Sequence, residues 1–317
     1  MPNGLIIGIT GFTGSALARR LAAAGWDVRG IDEHEDAAPE LDELGVTIEL
    51  ADVGDPDELE DLGRDGDHVF YVMRSVSDSE DDMERRTIRG VMNVVEALSG
   101  TDIASFVYGS TMAVFGAGSR DTLTETSPPA PNTVLGRLNL ETEQYLQEQH
   151  ETEGLPARVV RAGTVYGPDG GTLESLRGGN LRLIGGGKHP TSRIHVEDAA
   201  AILEAVALRG RSGEVYLAVD DHPAPAGEYL RYLAAQSGAR PPRSSPKHLV
   251  QGLVKLHEGF TRLTRTKASI SSSLFGLVTG SYPTSNAKVR EELGVELRYP
   301  TYVEGAATLL PPEEDEG

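Results

Sequence analysis

Gly8, Gly11 and Gly14 stand at three-residue spacing where a β-branched run, Leu5-Ile6-Ile7, passes into the helical pattern that follows Phe12 and Thr13. Glycines so placed allow a tight turn, let backbone N–H groups approach a pyrophosphate and bring the helix close to its strand. The helix N-terminus then faces the anion. Asp32 ends the next β-branched run, 21 positions beyond Gly11. A carboxylate there accepts hydrogen bonds from an adenosine ribose and repels a 2′-phosphate, so the two signals together predict a site for NAD rather than NADP. Asp52 and Val53 follow the third such run, where a carboxylate would meet the adenine amine; capping of an adjacent turn is the competing role for Asp52. Met73 and Arg74 end the fourth run, beside the same ligand.

Other chemistries are excluded by composition. The chain has no Cys, so neither a thiolate nucleophile nor a disulfide is available, and a zinc site would be limited to His and carboxylate ligands. No metal site is expected. Among 317 residues, 29 Lys and Arg face 49 Asp and Glu, a formal charge of −20 that repels nucleic acid and anionic lipid. Only five of the basic residues are Lys, at 188, 247, 255, 267 and 288. Strong acidity with few lysines suits a halophilic protein kept hydrated in concentrated salt, and a GC-rich genome would give the same Arg bias. No run approaches a membrane span, and the first strand begins without a basic leader region, so a cytoplasmic location is expected.

The elements that must position these residues follow from periodicity. From residue 4 to about 165, short β-branched runs alternate with longer helical ones, which predicts an α/β fold of the Rossmann type, a doubly wound parallel sheet. Strands are expected at 4–10, 27–31, 46–50, 67–73, 103–109 and 157–162, with helices at 13–24, 56–63, 81–99 and 134–153. A dinucleotide-binding domain over 1–168, to which 190–220 returns with a helix at 196–208 and a strand at 214–219, leaves 169–189 and 221–310 for a smaller C-terminal substrate lobe. Residues 311–317 read as a frayed acidic tail.

With those residues in place, the chain resembles the short-chain dehydrogenase/reductase superfamily, in its extended branch of nucleoside-diphosphate-sugar epimerases and dehydratases. The resemblance covers residues 4–220 and continues weakly to 305. Beyond the glycine loop it rests on Gly90 with Val94-Val95-Glu96-Ala97, on Phe106 through Gly116, on Val160 through Pro168 and on Arg193-Ile194-His195-Val196-Glu197-Asp198. Members of that family pair a Ser or Thr after the fifth strand with a Tyr and a Lys four residues later. The Lys and the oxidised nicotinamide lower the Tyr pKa from about 10, so that the phenol exchanges a proton while hydride moves. Thr111, four before Phe115, matches the hydroxyl position. Leu135 and Asn139 occupy the Tyr and Lys positions, and neither can do that work. Bulky Met73 and Arg74 stand where the family places small residues. These departures resemble the atypical branch, which keeps the nucleotide loop and lacks the catalytic tyrosine.

A proton donor would then come from elsewhere near the strand ends, where Tyr71, Arg74, Tyr108, Thr111, Tyr166 and His195 are the polar candidates. Thr111 and Tyr166 are the candidate catalytic residues; Tyr166 alternatively packs against its turn. His195 precedes an acidic helix start and fits a hydrogen bond between lobes. Arg74 would hold a substrate anion or pair with Asp78 or Glu80. Between 240 and 290 the basic residues Arg240, Arg243, Lys247, Lys255, Arg262, Arg265, Lys267, Lys288 and Arg290 face the single acid Glu258. They suit a diphosphate grip, a solvated helix face behind the apolar stripe Leu249 to Leu263, or a docking surface with 272–278. Two functions remain. One is an NAD-dependent, epimerase-like oxidoreductase acting on a nucleotide sugar or related small molecule. The other is a non-catalytic NAD-binding sensor or scaffold. Family members pair through the helices at 81–99 and 134–153, which implies a homodimer.

Overall fold

The computed structural model describes residues 1–33, 39–73, 79–116, 118–119, 121–252 and 282–310. Seven parallel strands form the central sheet: β1 (Asn3–Ile7), β2 (Asp27–Asp32), β3 (Thr47–Leu50), β4 (Asp67–Tyr71), β5 (Ser105–Thr111), β6 (Ala157–Ala162) and β10 (Val215–Ala218). Their order is β10-β6-β5-β4-β1-β2-β3, so the direction of winding reverses between β1 and β4. In such a sheet the crevice at that switch point, outside the strand C-termini, is where ligands bind.

Both faces of the sheet are covered, which is why its strands read as nearly continuous apolar runs. On one face α1 (Phe12–Ala23) and α7 (Val196–Arg209) bury Leu17, Leu21, Ile202 and Val206 against Ile6, Phe70 and Val107. On the other, α4 (Gly90–Ala97) and α5 (Val134–Glu153) bury Val91, Val94 and Leu146 against Leu5, Val69 and Phe106. The predicted bounds of α5 coincide with the observed ones, because Thr133 accepts from Gly136 N–H as an N-cap and Gly154 closes the helix in a left-handed conformation.

Three expectations are corrected. The first strand ends at Ile7 rather than residue 10, since Gly8 turns the chain at φ 85°. The helix expected at 56–63 is a 3-10 turn, Pro56–Leu59, capped by Asp55. The helix expected at 81–99 is three pieces: α3 (Glu80–Glu84), a π turn (Arg85–Arg89) and α4. The cause lies in β4. The Tyr71 hydroxyl donates to the Arg86 carbonyl at 2.8 Å, and Gly90 lies so close to that ring that a Cβ would overlap the phenol oxygen. One extra residue in the turn accommodates both contacts.

A separate hydrophobic cluster gathers α6 (Thr172–Arg177), α8 (Ala226–Ser237) and α10 (Tyr302–Ala307) around Leu176, Tyr229, Leu233 and Tyr302. Strands β8 (Arg182–Ile184) and β11 (Arg243–Ser245) pair there, and β7 (Thr164–Tyr166) pairs with β9 (Arg193–His195) at the junction. Within 221–310, assigned above to the smaller lobe, α9 (Ala287–Leu293) instead sends Val289 and Leu293 into the main core. Arg74, Lys255, Glu258, Arg262, Arg265, Lys267, the segment 272–278 and the tail 311–317 lie outside the described residues, as does the apolar stripe beyond Val250.

At the sheet edge remote from the crevice, Arg29 and Asp67 form a buried bidentate pair. Arg29 Nη2 is 2.7 Å from Asp67 Oδ2, and Nη1 donates to Oδ1 at 3.2 Å; Asp67 is fully buried. Breaking a buried pair strands its partner charge. Asp67→Asn is therefore expected to destabilise the fold by roughly 3–5 kcal/mol in denaturant titrations while leaving dinucleotide affinity unchanged.

Candidate functional site

The loop after β1 is held by its own backbone. Gly8 N–H donates to Ile31 O at 2.9 Å and Gly11 N–H to Gly8 O at 3.2 Å. A Cβ on Gly14 would overlap the Gly8 carbonyl and stand 2.9 Å from Ile9 Cα, while one on Gly8 would be 2.7 Å from Met73 Cα. The close approach of α1 to the loop therefore requires the missing side chains. No side chain caps α1, and its first turn carries no acid, which suits an incoming anion. Asp32 is fixed at the adjacent strand end. Its Oδ2 accepts from the Thr10 hydroxyl at 2.6 Å and Thr10 N–H at 3.0 Å, and its Oδ1 from Glu33 N–H at 2.9 Å. A carboxylate has about four acceptor directions, so capacity remains for a ribose hydroxyl. This cradle fits a dinucleotide: the loop and α1 would hold the pyrophosphate and Asp32 the ribose.

The other predicted cofactor residues divide. Thr13 lines a narrow cleft together with Val72, Thr111, Ala162, Val165 and Ala199. Phe12, the first residue of α1, packs against the core. Val53 is wholly buried, in the core cluster that also holds Leu59 and Val91. Asp52 is doubly engaged, accepting from Gly54 N–H at 2.7 Å and ion-paired to Arg85.

At the other end of the crevice Thr111 closes β5, where its Oγ1 accepts from Ala113 N–H at 3.3 Å. Asn139 faces the same strand from α5. Its amide donates to Leu135 O at 2.8 Å and its Oδ1 accepts from the Tyr108 hydroxyl at 3.0 Å. One turn on, Glu143 accepts from Ser110 Oγ and pairs with Arg161 Nη2 at 2.6 Å, both charged side chains being buried. Leu135, Asn139 and Glu143 thus form a ladder at i, i+4 and i+8 against β5 and β6. Sequence reasoning missed Glu143, Arg161 and Ser110. The available signal was Arg161, set between Val159-Val160 and Ala162 in an otherwise apolar stretch of β6.

Tyr166 and His195 stand together at the lobe junction, rings edge to face with centroids 5.4 Å apart. The Tyr166 hydroxyl is 3.4 Å from Thr301 O, and burial pushes its pKa well above the usual phenol value. His195 is fully buried. Its Nδ1 accepts from Glu197 N–H at 3.2 Å, which leaves the proton on Nε2 to be donated to Thr308 Oγ1 at 3.0 Å; that hydroxyl donates on to Gly305 O at 2.7 Å. Tyr71 is likewise committed, to Arg86 O, and burial raises its pKa. Of the basic segment, Arg240, Arg243 and Lys247 are exposed, whereas Lys288 and Arg290 are paired with Glu214 and Asp221. The described residues do not converge on a diphosphate grip.

Sequence reasoning also missed a charged cluster beyond Asp32. Glu33 Oε2 lies 3.1 Å from Arg85 Nη2 and 2.7 Å from Arg86 Nη2. Burial alone would lower the Arg85 pKa, but its acidic partners, Glu33 first, raise it overall.

The sequence model of the NAD dependent epimerase/dehydratase family matches residues 4–218. A 3-diazoavenalumate denitrifying reductase from a Streptomyces species is 28% identical over 79% of this chain and 86% of its own length. Among solved structures, a conserved protein from Silicibacter pomeroyi superposes with a TM-score of 0.75 at 28% identity, covering 98% of both chains. DesIV, a dTDP-glucose 4,6-dehydratase from Streptomyces venezuelae solved with NAD and TYD bound, superposes with a TM-score of 0.79 at 20% identity over 96% of this chain and 95% of its own. Among the described residues no helix is long and apolar enough to cross a membrane.

Burial drives the His195 imidazole down to about 4, against about 6.5 in an unfolded chain. The neutral ring is favoured by the fold, so its contribution is complete above pH ~6.5 and is lost as pH falls towards 4, by roughly 3 kcal/mol in total. Asp220, pushed up to about 7 by burial, titrates with the opposite sign over part of that range. The gap in unfolding free energy between the wild type and His195→Gln is therefore the quantity to follow. It is expected to shrink as the pH is lowered; a gap independent of pH would refute the neutral-imidazole account.

Proposed function

Because the chain belongs to the NAD-dependent epimerase/dehydratase family, we propose that it is an NAD-linked oxidoreductase acting on a nucleotide sugar or a related small molecule, without a tyrosine–lysine couple. The observation that carries this reading is the cradle of Gly8, Gly11, Gly14 and Asp32 beside the cleft that Thr111 lines. Asn139, at the position the resemblance gives to the lysine, is buried and bonded to Leu135 O and Tyr108, which supports a site without that couple. Asp32 supports NAD over NADP. The nucleotide-sugar class is supported by DesIV with its bound TYD and by a Thermotoga maritima UDP-glucose 4-epimerase solved with UDP-glucose. The reductase named among the relatives widens the class to other reducible small molecules.

A bound nicotinamide supplies or accepts hydride at its C4. The chain's own part is to orient the reacting oxygen and manage its proton. Thr111 is the hydroxyl assigned to that contact, since it lines the cleft with Thr13. Leu135 carries no proton, and the Tyr166 phenol is committed to Thr301 O and packed with Tyr229 and Tyr302 away from the cleft lining, so water reaching the cleft exchanges the proton. Two copies would pair through α4 and α5, where Met92 and Tyr145 line an open cleft. A second reading, a dinucleotide-binding scaffold, draws on the same Leu135 and Asn139.

Two measurements test these readings, the first the dinucleotide site common to both and the second the difference between them. Saturating NAD⁺ is expected to raise the melting temperature under either, by roughly 2.7 kcal/mol of stabilisation at a hundredfold excess over Kd. Turnover of a nucleotide-sugar panel, read by nicotinamide absorbance and product analysis, is expected only of the enzyme. There Thr111→Val should lower kcat by about 10²-fold or more with NAD⁺ affinity intact, and Thr111→Ser should retain most activity. A chain inert on every substrate, and still inert after Leu135→Tyr with Asn139→Lys, would be the scaffold.

A further inference from the structure

The function proposed above leaves unused the cluster that joins the π turn to the ends of β2 and β3. Asp32 pairs in register with Leu50, and Ala51 N–H donates to Asp32 O at 3.0 Å. Glu33 and Asp52 are therefore the first acids beyond two neighbouring strand ends, on the far side of Asp32 from the glycine loop. Arg85 spans them, with Nη2 3.1 Å from Glu33 Oε2 and Nη1 ion-paired to Asp52 Oδ1. Arg86 reaches the same Glu33 oxygen at 2.7 Å. Asp82 also faces the pair, its Oδ1 3.3 Å from Arg85 Nη2 and 3.4 Å from Arg86 Nε.

The cluster is not fully satisfied. Glu33 Oε1 and Arg86 Nε are buried and make no hydrogen bond, although Glu33 is only 7% exposed. Two guanidinium groups meet three carboxylates, and Asp32 adds a fourth, so the formal charge around the ribose edge is −2. A phosphate monoester, itself close to −2, is repelled there. Yet two adjacent guanidinium groups, held here by Glu33, Asp52 and Asp82, are the chemistry that grips a phosphate once their acids are gone.

We propose that Arg85 and Arg86 form a latent seat for the 2′-phosphate of NADP, closed in this chain by Glu33 and Asp52, which together set the choice between the two dinucleotides. The proposal rests on the dinucleotide reading of the loop. It adds that discrimination does not reside in Asp32 alone, and that the π turn is what places both arginines against the ends of β2 and β3.

Calorimetric titration of the full chain with NAD⁺, NADP⁺ and 2′-AMP tests it. The wild type is expected to bind NAD⁺ at least about tenfold tighter than NADP⁺ and to give no heat with 2′-AMP. In Glu33→Gln combined with Asp52→Asn the preference should fall by roughly tenfold or more and 2′-AMP binding should appear, weakening with added salt. Further replacing Arg85 and Arg86 by Ala should abolish the gain. Glu33→Gln alone, which leaves Asp52 holding Arg85, should shift the ratio less and in the same direction, and it serves if the double variant does not fold. A wild type with no preference for NAD⁺, a preference unchanged in folded variants that still bind NAD⁺, or a gain that survives loss of both arginines would each overturn the proposal. A wild type that binds neither dinucleotide would remove the cofactor reading beneath it, and the proposal with it.

Discussion

The contact between Gly14 and the Gly8 carbonyl is the constraint on which the molecule's organisation depends. With no Cβ between them, the first turn of α1 lies directly on the loop that leaves β1. That approach sets the tilt of α1, and α7 packs along α1 on the same face of the sheet. From the start of α7, His195 reaches Thr308 in the smaller lobe. The glycine loop and the contact of His195 with Thr308 are thus linked through two packed helices that start from one close backbone approach. A packed interior passes such displacement on with little loss.

The second half of the crevice replaces one electrostatic arrangement by another. At the positions where the resemblance implies a phenol and an ammonium stand Leu135 and Asn139, and the Asn139 amide donates to Leu135 O and accepts from Tyr108 inside the protein. Charge reappears one turn deeper, as the buried Glu143–Arg161 pair that also holds Ser110. A buried pair of this kind is weak evidence for stability. Its effect here is to fix α5 against β5 and β6, so that Thr111 stays at the mouth of the cleft.

Much of this was legible in the residue pattern, for identifiable reasons. Strand and helix periodicity, with Thr133 and Gly154 as end signals, defined α5, because local capping and distant packing agree there. The glycine spacing and Asp32 marked one βα turn, and the chain does close there with Asp32 bonded to Thr10, because that chemistry is local. The break at Arg85–Arg89 was not legible, since its cause, the Tyr71 phenol, comes from a strand whose neighbourhood a periodic pattern does not encode. Glu33, Arg85, Glu143 and Arg161 were missed for a related reason: a charged residue in sequence looks solvated until its partner, 18 to 52 positions away, is brought to it.

The π turn has one more consequence. Its wider i→i+5 winding absorbs a surplus residue in the middle of what would otherwise be one continuous helix, so α3 and α4 keep nearly the facing they would have without it. Deleting Arg85 would let the turn close to ordinary winding with α3 and α4 still in phase and α4 still gripping the sheet, and would leave a single guanidinium against Glu33. The surplus position thus lets the charge at this strand end change by one residue while the cores stay as they are.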